Sequence, residues 1–586
     1  MRYIIRGRIP EPHLVRYSIR TWARKTKQSR KEFRMKLTRN SINNTQEWLD
    51  AGFKLPQFDI DKVTQNTKTS PKWIHFGAGN IFRAFQAHVV QTLLNQGILD
   101  VGLIMCEGYD YEIIEKVDRI HDNLNLLATL TSDGTIEKTV IASIVESLIL
   151  KRGDQDFDRL LERFANPSLQ MVSFTITEKG YSLIDAHGRY TSDIETDLIQ
   201  GPAHTNSYMG KVVSLLYHRF LNGRYPIAMV SMDNCSHNGD KLRDAVITFA
   251  REWQRRDLVD EGFVAYVSDA SQVSFPWTMI DKITPRPDRS VLLALQSDGV
   301  EGIEPIVTSK NTYIAPFVNA EECEYLVVED LFPNGRPALE QGGVIYTDRE
   351  TVDKVEKMKV CTCLNPLHTT LAIFGCLLGY ELISEEMKDP DLKTLVEHIG
   401  YIEGLPAVVN PGIINPREFI DTVLRLRIPN PFMPDTPHRI ATDTSQKLGI
   451  RFGETIKAYR DSTTLCVTDL KMIPLVFAGW LRYLMGTDDQ SKTMELSPDP
   501  LLDRMTQILS QVPLGPFGDE QTPTLDALDG ILQPILRDSS IFGVDLYEVD
   551  MTELVIQYYM EMIQGIGAVR TTLQKYTKEI SVNTSY

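Results

Sequence analysis

Residues 72–87 read KWIHFGAGNIFRAFQA, and the order of features in this stretch decides the fold. The apolar run at 72–76 predicts a short strand, and residues 81–96 repeat their apolar side chains at helical spacing. Gly77 and Gly79, which lie between them, allow a tight turn. A strand, a glycine turn and a helix in this order predict the first unit of a parallel sheet with crossover helices.

Outward from this unit, strand and helix patterns alternate as far as about residue 345. Strand candidates lie at 101–106, 124–130, 139–145, 171–176, 227–232 and 263–267. Helix candidates between them lie at 156–164 and 240–254. Alternation of this kind predicts a largely parallel sheet that is covered by helices on both faces.

Beyond Val352 the strand patterns fade and long amphipathic segments follow. These segments lie at 370–380, 416–426, 470–484 and 552–564. Helical spacing sustained over this length indicates helices rather than strands. We therefore predict an α/β protein in which a Rossmann-type N-terminal domain with a mostly parallel sheet is followed by a mainly α-helical C-terminal domain.

Length and charge divide the chain further. A chain of 586 residues is too long for one hydrophobic core. We predict domains at 35–345 and 346–586, with the boundary after the turn-rich PNGRP at 333–337. Residues 1–34 carry eleven Lys and Arg against two Glu, although the whole chain has a net charge of −16. A basic leader can be a targeting peptide or a polyanion-binding arm, but we predict a disordered extension ahead of Met35.

Composition excludes several classes of function. The acidic net charge disfavours nucleic acid as a partner, and no apolar stretch reaches the roughly 20 residues of a membrane span. The seven cysteines are scattered, which indicates a reducing compartment and a cytoplasmic protein. Cys361 and Cys363 have a poor spacing for zinc and no second ligand pair nearby, so we predict no metal site.

The glycine turn predicts a dinucleotide site, because it follows a strand and opens a helix. Gly77 and Gly79 let the backbone approach a pyrophosphate, and the helix N-terminus at Asn80, Ile81 and Phe82 meets its charge. Phe82 replaces the third glycine of the usual motif. By itself the turn is therefore also compatible with a purely steric junction between a strand and a helix.

Glu107 lies at the end of the second predicted strand, where a carboxylate can hold the ribose 2′-hydroxyl of NAD. The interval from Gly77 is longer than usual, and a solvated acid at a strand end is the alternative. No Arg or Lys lies between Glu107 and Glu115, so a 2′-phosphate would meet uncompensated repulsion. The sequence therefore favours NAD over NADP as the cofactor.

A second polar group lies in the stretch KVCTCLNPLH, where Lys359, Asn365 and His368 share an apolar neighbourhood. Asn365 followed by Pro366 predicts a helix N-cap and first helical position, which places His368 one turn inside the helix. Desolvation favours the neutral amine of a lysine, which can then accept a proton from an alcohol. A surface lysine, a capping asparagine and a core histidine are the alternative.

Taken together, these motifs resemble the mannitol dehydrogenase family of long-chain polyol and hexuronate dehydrogenases. The resemblance spans nearly all of the chain after Met35. Besides the glycine turn and the Lys359 stretch, it rests on TITEKGY at 175–181, SMDN at 231–234, FPWTMIDKITPRP at 275–287 and EDLFPNGRP at 329–337. A collinear series of this kind is far more specific than either motif taken separately.

The resemblance implies a metal-independent, NAD-dependent dehydrogenase and assigns roles to individual residues. Lys359 matches the general base of the family. Asn234 and Asn365 match two amides that stabilise the developing alkoxide, and His368 matches the residue that orients the reacting hydroxyl. The resemblance further implies that Asp281, Arg439 and Lys447 lie at the substrate.

Within the family, the glycine turn is closer to the uronate reductases than to the enzymes that act on free mannitol. The resemblance therefore implies interconversion of D-mannonate and D-fructuronate. Mannitol and tagaturonate remain alternative substrates, and a non-catalytic NAD-binding protein is a more distant alternative. We expect a monomer or a small homo-oligomer with a small sugar acid or polyol as its partner.

Overall fold

The computed structural model describes residues 34–517 and 522–583. The predicted basic extension at 1–34 lies outside the described residues, apart from Arg34. A main sheet of six strands organises the first part of the chain, and all five strand pairs in it are parallel. In spatial order the strands are Val273–Ser274, Ile227–Ser231, Met171–Phe174, Trp73–Phe76, Leu103–Glu107 and Ile144–Ile149. Numbered along the chain and read from the other edge, at Ile144–Ile149, this is the order 3-2-1-4-5-6 of a dinucleotide-binding fold, which confirms the predicted fold class.

The strand Trp73–Phe76 lies at the centre of the main sheet and is buried along its whole length. His75 is the polar exception, and its ring nitrogens lie 2.6 Å from Ser173 Oγ and 2.9 Å from Thr175 Oγ1. Burial lowers the pKa of His75 well below its usual value, so the ring is neutral. The same ring stacks on Phe82 at 3.9 Å between centroids, which joins the central strand to the helix that follows it.

Four smaller sheets surround the main sheet. A four-stranded sheet contains, in spatial order, Phe317–Glu321, Asn125–Leu130, Ile136–Ile141 and Phe53–Lys54. A three-stranded sheet contains Thr278–Asp281, Tyr325–Glu329 and Ile345–Thr347, and two-stranded sheets pair Met35–Lys36 with Val300–Glu301 and Ile306–Val307 with Tyr313–Ile314. Asp281 and Glu321 each end a strand, which brings two carboxylates to the side where the helical part of the chain packs.

Helices connect and cover the strands. In the sheet-containing part, up to Thr347, the α-helices are Arg39–Ile42, Thr45–Asp50, Ile60–Thr69, Ala87–Asn95, Gln155–Ala165, Glu178–Tyr181, Ser192–Gln200, Tyr208–Leu221, Asn238–Arg255, Gly262–Ser268 and Arg289–Ser297. In the helical part, from Arg349 on, they are Arg349–Lys357, Asn365–Leu378, Ile383–Glu386, Pro390–His398, Pro416–Thr422, Pro437–Ile440, Glu454–Asp461, Met472–Tyr483, Leu502–Leu509, Leu525–Leu536, Ser539–Phe542, Thr552–Met562 and Ala568–Asn583.

Two predicted strands are wrong. The run at 263–267 forms the helix Gly262–Ser268, in which Phe263, Tyr266 and Val267 are buried on one face. A short apolar run does not distinguish a strand from a helix, and this i, i+3, i+4 burial is helical. The predicted strand at 139–145 is two strands in different sheets, because the chain leaves one sheet at Ile141 and enters the main sheet at Ile144. Neither glycine nor proline marks that break.

The helices Asn365–Leu378 and Met472–Tyr483 are the core of the helical part, since nearly all of their side chains are buried. The helical run from Arg349 to Leu378 is long and apolar enough to cross a membrane by length and composition alone. In this fold, 78% of its most apolar window is buried inside the protein. All seven cysteines lie in described residues and have free thiols.

Six π-helical turns interrupt the α-helices of the described residues. They are Phe82–Gln86, Ile114–Asp118, Met358–Cys363, Ile399–Gly404, Val423–Arg427 and Gly449–Gly453. Each contains a charged side chain that is buried or half-buried: Arg83, Asp118, Lys359, Glu403, Arg427 and Arg451, respectively. A π-turn accommodates one extra residue within an α-helix and is common at functional sites. Each of these six turns directs one charged side chain toward the interior of the protein.

The two glycines of the turn after Trp73–Phe76 meet different surroundings. Gly77 has a φ of +114°, and a Cβ atom added there would lie 2.4 Å from the carbonyl oxygen of Thr175. A Cβ atom at Gly79 would meet nothing within 4 Å. Gly77 is therefore required by the fold itself, whereas Gly79 borders open space.

We predict that Gly77→Ala lowers the free energy of unfolding by about 2 kcal/mol or more, because alanine is strained at this φ and its methyl group collides with backbone. Gly79→Ala is the matched control and should stay within about 0.5 kcal/mol of the wild type. Urea denaturation of both variants without cofactor measures the difference. Equal stability of the two variants would contradict this assignment.

Candidate active site

The glycine turn presents free backbone donors at the carboxyl end of the central strand. No residue in the described part of the chain accepts from the backbone N–H groups of Gly79, Asn80 and Ile81. The Asn80 side chain donates to the Pro285 carbonyl at 3.5 Å, and its buried Oδ1 atom has no partner. Free N–H groups at a helix N-terminus beside an open glycine suit the pyrophosphate of a dinucleotide.

The predicted cofactor residues Ile81 and Phe82 differ in exposure. Ile81 is half-buried, whereas the Phe82 ring is fully buried against His75. Only the backbone of Phe82 can therefore face a ligand at this turn. The third glycine of the usual motif is replaced by a core aromatic residue, which fastens the helix to the central strand.

Glu107 ends the strand Leu103–Glu107 and lies beside the glycine turn. Its Oε2 atom accepts from the Ala78 N–H at 2.9 Å, and its Oε1 atom accepts from the N–H groups of Tyr109 and Asp110 at 2.7 and 3.1 Å. The Glu107 carboxylate thus holds the backbone of the glycine turn in place through its hydrogen bond to Ala78. The fold also brings Lys310 over the Tyr109 ring, at 4.1 Å, although no Arg or Lys lies between Glu107 and Glu115 in the sequence.

Lys359 lies in the π-turn Met358–Cys363 and is buried between the two parts of the chain. Its Nζ atom lies 3.0 Å from Asp281 Oδ1, 3.2 Å from the Ile280 carbonyl and 3.5 Å from Asn234 Oδ1. Three of the residues that the sequence proposes for the site, Lys359, Asn234 and Asp281, are therefore in contact. The predicted alternative of a surface lysine is wrong.

Asp281 also contacts a second cation that the sequence does not single out. Arg427 donates to both carboxylate oxygens of Asp281, with its Nη2 atom 3.2 Å from Oδ1. The other edge of the guanidinium binds Glu321, at 2.9 Å from Nε and 2.7 Å from Nη2. Burial alone would raise the pKa of Asp281, but the charges of Lys359 and Arg427 hold that pKa below its usual value.

The loop that carries Asn234 follows the strand Ile227–Ser231 and is held by hydrogen bonds to the residue before Asn234. The neighbouring Asp233 carboxylate accepts from the N–H groups of Ile176 and Thr177 at 3.0 and 2.9 Å. Thr177 has a φ of +65° and a ψ of 159°, a region that residues other than glycine rarely adopt. Asp233 therefore joins the TITEKGY and SMDN motifs, and the next residue, Asn234, accepts from Lys359.

The helix Asn365–Leu378 begins one residue earlier than predicted, because Leu364 is its N-cap and Asn365 is already helical. The Asn365 side chain makes no hydrogen bond to any described residue, so its amide is available to a ligand. His368 lies one turn inside the helix, with its Nε2 atom 3.9 Å from Asp435 Oδ2. Burial lowers the pKa of His368 to about 4, so the ring is neutral near pH 7.

The predicted basic pair lies on the segment that packs beside His368. Arg439 is 61% exposed at its side chain and forms an ion pair with Asp435, which also faces His368. Lys447 is half-buried and donates to the Thr442 carbonyl. Burial lowers the pKa of Lys447, and the charge of Arg451 acts in the same direction. Neither Arg439 nor Lys447 forms a hydrogen bond or an ion pair with Lys359 in the described part of the chain.

Arg427, Glu321 and Asp435 are site residues that the sequence alone does not reveal. Arg427 and Glu321 are 106 residues apart in the chain, and Arg427 lies within an amphipathic segment where one arginine resembles any other. His368, Arg427 and Asp435 line one small cavity together. Among the residues described, no cluster of three or more His, Cys, Asp or Glu could hold a metal ion.

A larger open cleft runs along the edge strand Ile144–Ile149 and contains none of the predicted site residues. Its charged side chains largely neutralise each other, since Asp156 pairs with both Arg119 and Arg159. The convergence of buried polar groups, rather than cleft size, therefore places the candidate active site at Lys359.

Known proteins match both parts of this structure. Residues 71–341 match the family described as "Mannitol dehydrogenase Rossmann domain", and residues 351–514 match "Mannitol dehydrogenase C-terminal domain". A D-mannonate oxidoreductase of Thermotoga maritima is 51% identical over 543 residues, which cover 92% of this chain and 99% of that protein.

Two solved structures share the fold. The ternary complex of Pseudomonas fluorescens mannitol 2-dehydrogenase with NAD and D-mannitol aligns with a TM-score of 0.63 and 26% identity, over 93% of this chain and 100% of that one. A D-sorbitol dehydrogenase in substrate-free form aligns with a TM-score of 0.69 and 24% identity, over 88% of this chain and 96% of that one. These matches confirm the resemblance seen in the sequence, and the chain belongs to the mannitol dehydrogenase family.

Proposed function

We propose that this protein is an NAD-dependent dehydrogenase that interconverts D-mannonate and D-fructuronate. The observation that carries the proposal is the buried contact of Lys359 with Asp281 and Asn234, next to a glycine turn with free N–H groups. The D-mannonate oxidoreductase that shares 51% of its residues with this chain supports the choice of substrate pair. Mannitol and tagaturonate remain the alternative substrates.

The chain supplies a site that fits NAD. We assign the pyrophosphate to the N–H groups of Gly79, Asn80 and Ile81, with the open face of Gly79 leaving room for it. Gly77 and Phe82 shape this turn, and Glu107 holds it through the Ala78 N–H and would be the residue that faces the ribose. The cofactor, when bound, accepts a hydride from the alcohol carbon. The complex of the Pseudomonas relative with NAD supports this cofactor.

Removal of a hydride from a secondary alcohol must be matched by removal of its hydroxyl proton. We assign this proton to the Lys359 amine, because Lys359 is buried and held by neighbours that fix its position. The amides of Asn234 and Asn365 would donate to the oxygen as negative charge develops on it. The neutral ring of His368 would hold the hydroxyl in line. In the reverse direction the protonated Lys359 returns the proton to the ketone.

Arg439 and Lys447 provide the positive charge that a sugar acid requires. An arginine can bind a carboxylate through two parallel hydrogen bonds, and the Arg439 side chain is exposed beside Asp435 and His368. We place Asp281 behind Lys359 rather than against the substrate, since its oxygens are already shared by Lys359 and Arg427.

The predicted domain boundary and cellular location are part of the same proposal. The last described strand ends at Thr347 and the long helical run begins at Arg349, which supports the two predicted domains, 35–345 and 346–586, with the boundary moved to the end of that strand. Seven free thiols support a reducing, cytoplasmic location. We propose a small sugar acid, and neither nucleic acid nor a membrane, as the partner.

We expect the purified protein to oxidise NADH fastest with fructuronate when fructuronate, tagaturonate and fructose are compared. The kcat/KM for fructuronate should exceed the others by about tenfold or more, as hydrogen-bonded substrate groups discriminate strongly. NADH absorbance measures all three. Turnover of fructose alone would contradict the uronate assignment, and no turnover of any of them would favour the non-catalytic alternative.

Lys359→Ala should lower kcat by a factor on the order of 10² or more while NADH still binds, because the general acid–base group is lost. Lys357→Ala is the matched control, since Lys357 lies two residues away, is 55% exposed at its side chain and pairs with Asp353. Steady-state kinetics and NADH fluorescence titration test both variants. Full activity of Lys359→Ala would overturn the mechanism.

Activity should survive prolonged dialysis against a strong chelator. We expect this because Lys359 and the two amides provide both proton transfer and charge stabilisation, which a zinc ion would otherwise supply. The rate of NADH oxidation before and after dialysis, with metal content measured in parallel, checks it. A loss of activity that is restored by one added metal would contradict the assignment.

A further inference from the structure

The contact of Lys359 with Asp281 is one end of a longer buried chain of charges. Lys359 binds Asp281, Asp281 binds Arg427, and Arg427 binds Glu321. The four side chains are exposed by only 6, 5, 2 and 1%, respectively. Positive and negative charges alternate along it, and each inner member is held by two partners.

Arg427 and Lys359 compete for one carboxylate. Lys359 contacts Oδ1 of Asp281, and Arg427 contacts both of its oxygens. In a buried site a carboxylate bound to a lysine alone would strongly favour the charged ammonium. A guanidinium on the same carboxylate offsets part of that negative charge. Arg427 therefore limits how firmly Asp281 retains the proton of Lys359.

Other charged and polar groups face Lys359 from each element packed against it. Asp281 ends one strand, and Glu321 ends another and acts through Arg427. The loop after Ile227–Ser231 contributes only the uncharged amide of Asn234. His368, on the helix Asn365–Leu378, is neutral near pH 7. On its own helix, Lys357 is paired with Asp353, and Glu356 lies one turn before Lys359. Arg427 is thus the cation that shares a carboxylate with Lys359.

We propose that Arg427 is a positioning residue that acts on Lys359 through Asp281, with Glu321 as its anchor, and so sets the pH range in which Lys359 accepts a proton. The inference rests on the proposed function, because it assumes that Lys359 is the general base. It adds two residues to the site, and both of them act on Lys359 through Asp281.

Two substitutions should shift the pH profile of alcohol oxidation in opposite directions. Arg427→Met leaves Asp281 to Lys359 alone, so the acid limb should move to higher pH by about one unit. Asp281→Asn removes the negative charge, so the acid limb should move to lower pH. Arg427→Lys keeps a cation but cannot bind both carboxylates in parallel, and should recover part of the shift.

Arg425→Met is the matched control, because Arg425 lies on the same π-turn but is 74% exposed at its side chain. The acid limb in the pH profile of Arg425→Met should lie at the same pH as the acid limb of the wild type. A fall in kcat of Arg427→Met at every pH, with no movement of the limb, would show a merely structural role and overturn the proposal. If Arg427→Met does not fold, Glu321→Gln, which removes a buried negative charge and leaves Arg427 to Asp281 alone, should move the limb to lower pH, and an unmoved limb there would overturn it as well.

A measurement without substrate separates this proposal from the proposed function. Cyanate carbamylates neutral amines, and peptide mass spectrometry can follow its reaction at Lys359 as a function of pH. The labelling midpoint should rise in Arg427→Met and fall in Asp281→Asn, whether or not fructuronate is turned over. Equal midpoints in wild type, Arg427→Met and Asp281→Asn would overturn the role of Arg427, even for a protein with full reductase activity.

Discussion

Four charged side chains are buried together where the sheet-containing and helical parts of the chain meet. Burying a charge costs several kcal/mol unless partners and hydrogen bonds compensate for the lost water. Here Asp281 and Glu321 come from the sheet side, whereas Lys359 and Arg427 come from the helical side. Within this group of four, each charge finds its oppositely charged partner only on the other part of the chain. The two parts must therefore dock in one relative position, and this position is the one that places the Lys359 amine beside Asn234.

Local backbone irregularity brings these groups inside. Lys359 and Arg427 both lie in π-turns, as do four other charged side chains of the described residues. A π-turn rotates the following residues relative to an ideal helix, so a polar side chain can point inward while its neighbours remain on the apolar face. The strained Thr177 has a comparable effect on the sheet side, because it lets Asp233 hold the loop that presents Asn234. The regular helices and strands form the framework, and the π-turns together with the strained residue Thr177 place the polar side chains of the site.

The parts that could be predicted from sequence are those with a local physical cause. Gly77 was predictable because its turn needs a conformation that other residues avoid, and the strand and helix around it have clear periodicity. The helix Gly262–Ser268 was not, because five apolar residues are compatible with either structure. Arg427 was not predictable because its partners lie 106 and 146 residues away. The family resemblance located Lys359 and Asn234, and only the fold showed that Asp281 joins Lys359 to Arg427.

The division of the charge cluster between two halves of the chain also limits how such genes can recombine. A hybrid that joined the first half of one relative to the second half of another would bring together carboxylates and cations from different parents. If one parent had a neutral residue at the position of Arg427, the carboxylates from the other would be buried without a partner, at a cost of several kcal/mol. A stable hybrid must therefore receive compatible residues at the positions of Asp281, Glu321, Lys359 and Arg427, although these lie far apart in the gene.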